Sequence, residues 1–343
     1  MEKSYLVMVN YFCGWWRRQP NKWTVDGRDW RLDYPGRIPA NGCFNDQETM
    51  DADILSASEN GVDCFMILWY PQAEGVGPAD DVARLNVGLD QFVRSPFADR
   101  MGFLIEYCNH TPFLVRDDRE WAEKVDVLTE YLKHPSYQRV GGKALFKIHG
   151  LKFFWEECGG DAARARGRLE LLRETARKKG CGELLISAGV MSAGLDETER
   201  KAAGLFDYLS TYADMPALAP SEADYSYEEL SGQAGFAREW YQQEGIAYMP
   251  YVMAGWNPRP WKDPRPSFRF PDEEQWRTEL KKVRQALDRS PCLGIPCGEG
   301  RQKAFNIYAW NEFGEGGILA PTLGDGEMKL RVIREIFGGG TGT

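Results

Sequence analysis

The chain has 343 residues, 43% hydrophobic and 13% aromatic, enough apolar material for one large domain or two ordinary ones. A net charge of −9 argues against nucleic acid or an anionic membrane surface as partner. No apolar run approaches the roughly 20 residues of a membrane-spanning helix.

Met1-Glu2-Lys3-Ser4 leads directly into a strand-like run, so no signal peptide is expected on this chain. A leader removed on export would place the protein in the periplasm or outside the cell; otherwise it is cytoplasmic. Eight β-type runs follow in order: Tyr5–Tyr11, Cys64–Tyr70, Phe103–Tyr107, Ala144–His149, Leu184–Ala188, Tyr208–Tyr212, Tyr248–Met253 and Phe305–Trp310. Helical patterns lie between them. Asp118 opens one with Trp121, Val125, Leu128 and Leu132 on a single face, and Pro271-Asp272 opens another with Trp276, Leu280, Val283 and Leu287. Asn60-Gly61, Lys179-Gly180 and Glu244-Gly245 read as helix ends just before strands. A short helical segment, Asp196–Gly204, comes close to its strand. Asp51-Ala-Asp53 lies within a helical pattern (Met50, Ile54, Ala57) and reads as a solvated helix face. Alternation of this kind predicts a (β/α)8 TIM barrel forming a single domain over residues 1–337, with 338–343 a disordered Gly/Thr tail. A monomer is expected.

Cofactor and metal chemistry find little support. The eight cysteines contain no Cys-x-x-Cys pair and read as small buried hydrophobes, with a bridge between Cys292 and Cys297 not expected. The three histidines, His110, His134 and His149, form no metal-ligand spacing, so neither a metal nor a cofactor is expected. His134, before Pro135, reads as structural. His149 ends a strand and is divided between a sugar contact and a satisfied core histidine. No phosphate-binding glycine loop and no serine nucleophile elbow occurs.

A barrel of this type carries its active site at the carboxyl ends of the strands. Those ends are unusual here. They hold Tyr11 with Trp15-Trp16, Trp69-Tyr70, Glu106-Tyr107 with His110, His149, Tyr212, Trp256-Asn257 with Trp261, and Trp310-Asn311-Glu312. A sugar needs such residues, because its rings have apolar C–H faces and polar edges. Aromatic residues are also common inside strands and helix faces, which is the reading for Trp121, Trp240 and Trp276.

The last run is the most informative. Ile307–Trp310 leads into Asn311-Glu312-Phe313-Gly314-Glu315-Gly316-Gly317, two carboxylates on a tight glycine-rich turn. One carboxyl group can donate a proton to a leaving oxygen while the other stays ionised, the requirement of glycoside hydrolysis. The alternative is an acidic surface turn, since most glutamates are solvated.

The stretch Tyr308-Ala-Trp-Asn-Glu-Phe-Gly-Glu-Gly-Gly-Ile-Leu-Ala-Pro321 resembles the signature of glycoside hydrolase family 99 and its family-99-like relatives. Asp53–Pro71, Ile105-Glu106-Tyr107, His134–Phe146 and Gly255–Trp261 are similar to further family stretches, in the same order. Gly314 stands where the family has histidine, Phe313 where it has tryptophan, and Ala320 where a glutamate is common, which places the chain in the outer group.

The resemblance implies a retaining glycosidase acting on an α-linked, mannan-like glycan, with Glu312 as base at the sugar 2-hydroxyl and Glu315 as general acid. It also implies sugar contacts by Glu106. The expected cleft wall comprises Tyr11, Trp69, Tyr70, His149, Tyr212, Trp256 and Trp310, with Asn311 fixing hydroxyls. A non-catalytic glycan-binding barrel and a glycosyltransferase of a surface-polysaccharide pathway remain alternatives.

Overall fold

The aliphatic runs pair side by side into a ring. The computed structural model describes residues 4–72, 77–191 and 194–338. Its barrel strands are β1 (Tyr5–Tyr11), β2 (Cys64–Trp69), β3 (Gly102–Tyr107), β4 (Lys143–Ile148), β5 (Leu184–Gly189), β6 (Tyr208–Ser210), β7 in two pieces (Tyr248–Met249 and Tyr251–Met253) and β8 (Gly300–Tyr308). Each pairs in parallel with the next, and β8 pairs with β1. The ring closes through β7: its first piece pairs with β6 and its second with β8. Pro250 separates the pieces because it has no N–H for the ladder. The protein is thus a closed (β/α)8 barrel.

Side-chain alternation sorts the strands into two layers. In register, Leu68 neighbours Glu106 and Glu106 neighbours Lys147, and these face the barrel interior. Trp69 neighbours Tyr107, on the helix-facing side. That parity decides which strand-end residues can reach the cleft.

The helices follow the apolar stripes. In the helix Asp118–Tyr131 Trp121, Val125 and Leu128 are buried, and in the helix Glu273–Arg289 Trp276, Leu280, Val283 and Leu287 are buried. Asp272 caps the helix Glu273–Arg289 with Gln275 in a reciprocal box, satisfying two otherwise unpaired amides. Gly61, Gly180 and Gly245 end helices in the left-handed region. Among the described residues no helix is long and apolar enough to cross a membrane.

Two expectations are corrected. β8 starts at Gly300 rather than Phe305, because its polar start pairs antiparallel with Ile295–Cys297. Asp53, on α1 (Gln47–Glu59), is not solvated: it is buried, and accepts from Tyr11 Oη at 2.9 Å and Asn41 Nδ2 at 2.9 Å. Residues 339–343 of the expected tail lie outside the described residues.

Candidate active site

Beyond β8 the chain turns back in a short hairpin, Asn311–Glu312 against Gly317–Ile318. The Glu312 carbonyl accepts the amides of Glu315 at 3.1 Å and Gly316 at 2.8 Å, so one turn presents both carboxylates. Gly316 is in the left-handed region (φ 87°), and a Cβ there would sit 2.7 Å from the Asn257 backbone nitrogen. At Gly314 a Cβ would lie 2.1 Å from Trp261 Cε2. The histidine that the family signature carries at this position cannot be accommodated here, because the Trp261 indole occupies its space.

Glu312 and Glu315 both line a cavity of about 350 Å³ at the carboxyl ends of the strands. Its aromatic wall comprises Phe12, Trp16, Tyr70, Phe113, Tyr212 and Trp261, with His110, His149 and Lys22 supplying polar groups. Glu312 is buried, and its Oε1 accepts from Tyr212 Oη at 2.8 Å. Burial first, and the neighbouring charge of Glu315 second, push its carboxyl up to about 8. Glu315 has different company. Arg265 Nη2 lies 3.2 Å from its Oε1, and the Tyr308 hydroxyl donates to its Oε2. Trp256 supports that arrangement from behind, with Arg265 4.5 Å from its ring centroid.

Beneath the cleft floor lies a buried polar cluster. Glu106 receives Asn10 Nδ2 at 2.6 Å and lies 2.7 Å from His149 Nδ1 and 3.0 Å from Lys147 Nζ. Lys147 and His149 pull its carboxyl below the ordinary range despite full burial. His149 Nδ1 faces Glu106 Oε1, so that nitrogen donates to the carboxylate and Nε2 is the ring atom turned away from it.

The structure therefore gathers Glu312, Glu315, Tyr70, His149 and Tyr212 around one cavity. Glu106 is one layer below, behind His149, and does not line it. Tyr11 turns outward to Asp53 on α1, and Trp69 stacks on Tyr107 with ring centroids 6.1 Å apart. Trp310 is buried against Phe65, 5.2 Å between centroids. Trp256 sits under Arg265 rather than in the wall. Asn311 staples the hairpin to β1: its Oδ1 accepts the Phe12 amide at 2.8 Å and its Nδ2 donates to the Phe12 carbonyl at 2.9 Å. The cleft expectation for these residues thus gives way to packing and positioning roles.

Phe12, Trp16, Lys22, His110, Phe113 and Trp261 belong to the wall and were not among the expected site residues. Trp16, His110 and Trp261 carried the same strand-end signal as the others. Lys22 carried none, because it enters from the long loop after β1. That loop is held by Trp15, Trp23 and Trp30, with Trp23 stacked on Phe313 of the Glu312–Glu315 turn at 5.5 Å. Among the described residues no group of three His, Cys, Asp or Glu side chains could hold a metal ion.

Known structures share this architecture. A glycoside hydrolase-like protein superposes with a TM-score of 0.67 at 17% identity, covering 98% of this chain and 94% of its own. The GH99 endo-α-mannosidase from Bacteroides thetaiotaomicron gives 0.53 at 16% identity, over 92% of this chain and 88% of that one. The chain shares the (β/α)8 barrel fold of these proteins. GH5_18 from Bifidobacterium longum subsp. longum, at 14% identity, gives 0.54 over 97% of this chain and 78% of that one. No family model and no curated protein sequence matches the chain.

Proposed function

We propose that the protein is a glycoside hydrolase of the family-99-like group, cleaving an α-linked, mannan-like or related glycan with retention of configuration. The observation that carries this reading is a single aromatic-walled cavity presenting Glu312 and Glu315 from one turn, with Glu312 pushed up to about 8. Such a carboxyl keeps its proton at neutral pH and can deliver it to a departing glycosidic oxygen. Glu315, held by Arg265 and Tyr308, is then the partner that assists departure from the sugar side. This division reverses the one that the resemblance implies, on the strength of the raised Glu312 carboxyl and the Arg265 contact of Glu315.

The aromatic rings of Tyr70, Tyr212 and Trp261 would hold the C–H faces of the sugar, and His149 Nε2 would hydrogen-bond a hydroxyl. In an aromatic-walled pocket the buried Glu312 carboxyl acts in a low dielectric, where charge counts for more than in water. The direct test is incubation with a panel of α- and β-linked manno- and gluco-oligosaccharides, followed by product NMR. Release of reducing sugar from an α-linked member with retained configuration is the expected result. No release from any α-linked member, or cleavage of β-linked members alone, would overturn the reading.

A further inference from the structure

A larger cavity, of about 470 Å³, lies on the other side of the catalytic hairpin, where Ile318 forms part of its wall. Its size falls within the roughly 300–1,000 Å³ of small-molecule pockets. Four cations, Arg37, Arg259, Arg269 and Lys329, face two carboxylates, Asp224 and Asp325, around it. In a chain of net charge −9, that is a locally positive hollow.

Two of the cations are already neutralised. Arg259 Nε pairs with Asp224 at 2.8 Å, and Lys329 pairs with Asp325. Arg37 is not. It is buried, and its guanidinium bonds only neutral oxygens: Asn257 O at 2.8 Å, Asn257 Oδ1 at 2.8 Å and Phe313 O at 3.3 Å. Among the described residues no carboxylate pairs with it, and burial pulls its pKa down to about 10. Arg269, exposed at the rim, also has no ion pair among the described residues. Asp224, the carboxylate that acts on Arg37 through space, is already paired with Arg259, so this buried cation is only partly offset and can take a further anion.

The apolar lining adds shape. Arg37 lies 5.1 Å and Lys329 5.6 Å from the centroid of the same ring, Phe270, and Arg37 lies 5.0 Å from that of Tyr34. Flat aromatic walls beside incompletely neutralised positive charge suit a ring with one apolar face and one anionic substituent. We propose that this cavity is a second binding site, taking a sugar that bears a carboxylate or sulfate group, with Arg37 and Arg269 on the anion. The proposal does not rest on the hydrolase reading.

Isothermal titration of the full chain with methyl α-D-glucuronoside tests it, with methyl α-D-glucoside as the neutral control and sodium sulfate as the simple anion. The expected result is saturable glucuronoside binding, at least tenfold tighter than either control. Arg37→Gln and Arg269→Ala should each weaken it at least tenfold, while Glu312→Gln leaves it unchanged. If circular dichroism shows Arg37→Gln unfolded, Arg269→Ala alone decides. Absent binding by the wild type, equal affinity for glucoside or sulfate, or loss in Glu312→Gln rather than in the cavity variants would overturn the proposal. Because Glu312→Gln abolishes turnover in the hydrolase reading but spares this site, the two claims fail separately.

Discussion

The Tyr212 hydroxyl donates to Glu312 Oε1 at 2.8 Å, tying the residue beyond β6 to the Glu312–Glu315 turn beyond β8. This bond favours the ionised form and opposes the burial that raises the Glu312 carboxyl. Tyr212→Phe removes it and keeps the ring. The Glu312 pKa should then rise further, read by carboxyl infrared or NMR titration. An unchanged or lower value would show that the bond does not act on the ionised carboxylate.

Glu315→Gln should do the opposite. It deletes the neighbouring negative charge that raises Glu312, so the Glu312 titration should move to lower pH. A titration that stays put would mean the two carboxylates are not electrically coupled.

Glu312 also ties stability to pH. Its folded pKa, about 8, lies above the unfolded value, so the stability it contributes is complete below the unfolded pKa and is lost as pH rises towards 8. Each unit of that gap corresponds to about 1.4 kcal/mol. Glu312→Gln should therefore raise Tm at pH 8 and change it little at pH 4. Equal shifts at both pH values would contradict the buried, protonated Glu312.

Gly314 is required by Trp261. Gly314→Ala puts a methyl group 2.1 Å from Trp261 Cε2 and should cost about 1–3 kcal/mol in denaturant unfolding. Adding Trp261→Ala should recover much of that loss, because it vacates the space. Additive losses in the double variant would separate the two sites.

The barrel was legible because each strand is a short apolar run between helix signals. The β7 break was not, since Pro250 interrupts a run that is apolar on both sides. Site residues were legible only by strand end, and side-chain parity then divided them. Leu68 and Glu106 point inward while their neighbours Trp69 and Tyr107 point outward, a distinction invisible until the register is known. Lys22 and Phe113 reach the cavity from loops, where no periodicity marks direction. The Glu312–Glu315 turn was readable because three glycines, Gly314, Gly316 and Gly317, accompany two carboxylates at a strand terminus.

The central claim is that Glu312 and Glu315 perform the proton chemistry of glycoside cleavage. The most direct measurement compares Glu312→Gln and Glu315→Gln on a cleaved α-linked oligosaccharide and on an aryl glycoside whose leaving group needs no proton. Both variants should bind the oligosaccharide and lose most of its turnover, roughly 100-fold or more. Glu312→Gln should regain turnover on the aryl glycoside and Glu315→Gln should not, as expected if Glu312 is the donor. Near-wild-type turnover of the oligosaccharide by both variants would contradict the account, leaving the turn a structural feature, and rescue of Glu315→Gln instead would return the proton to Glu315.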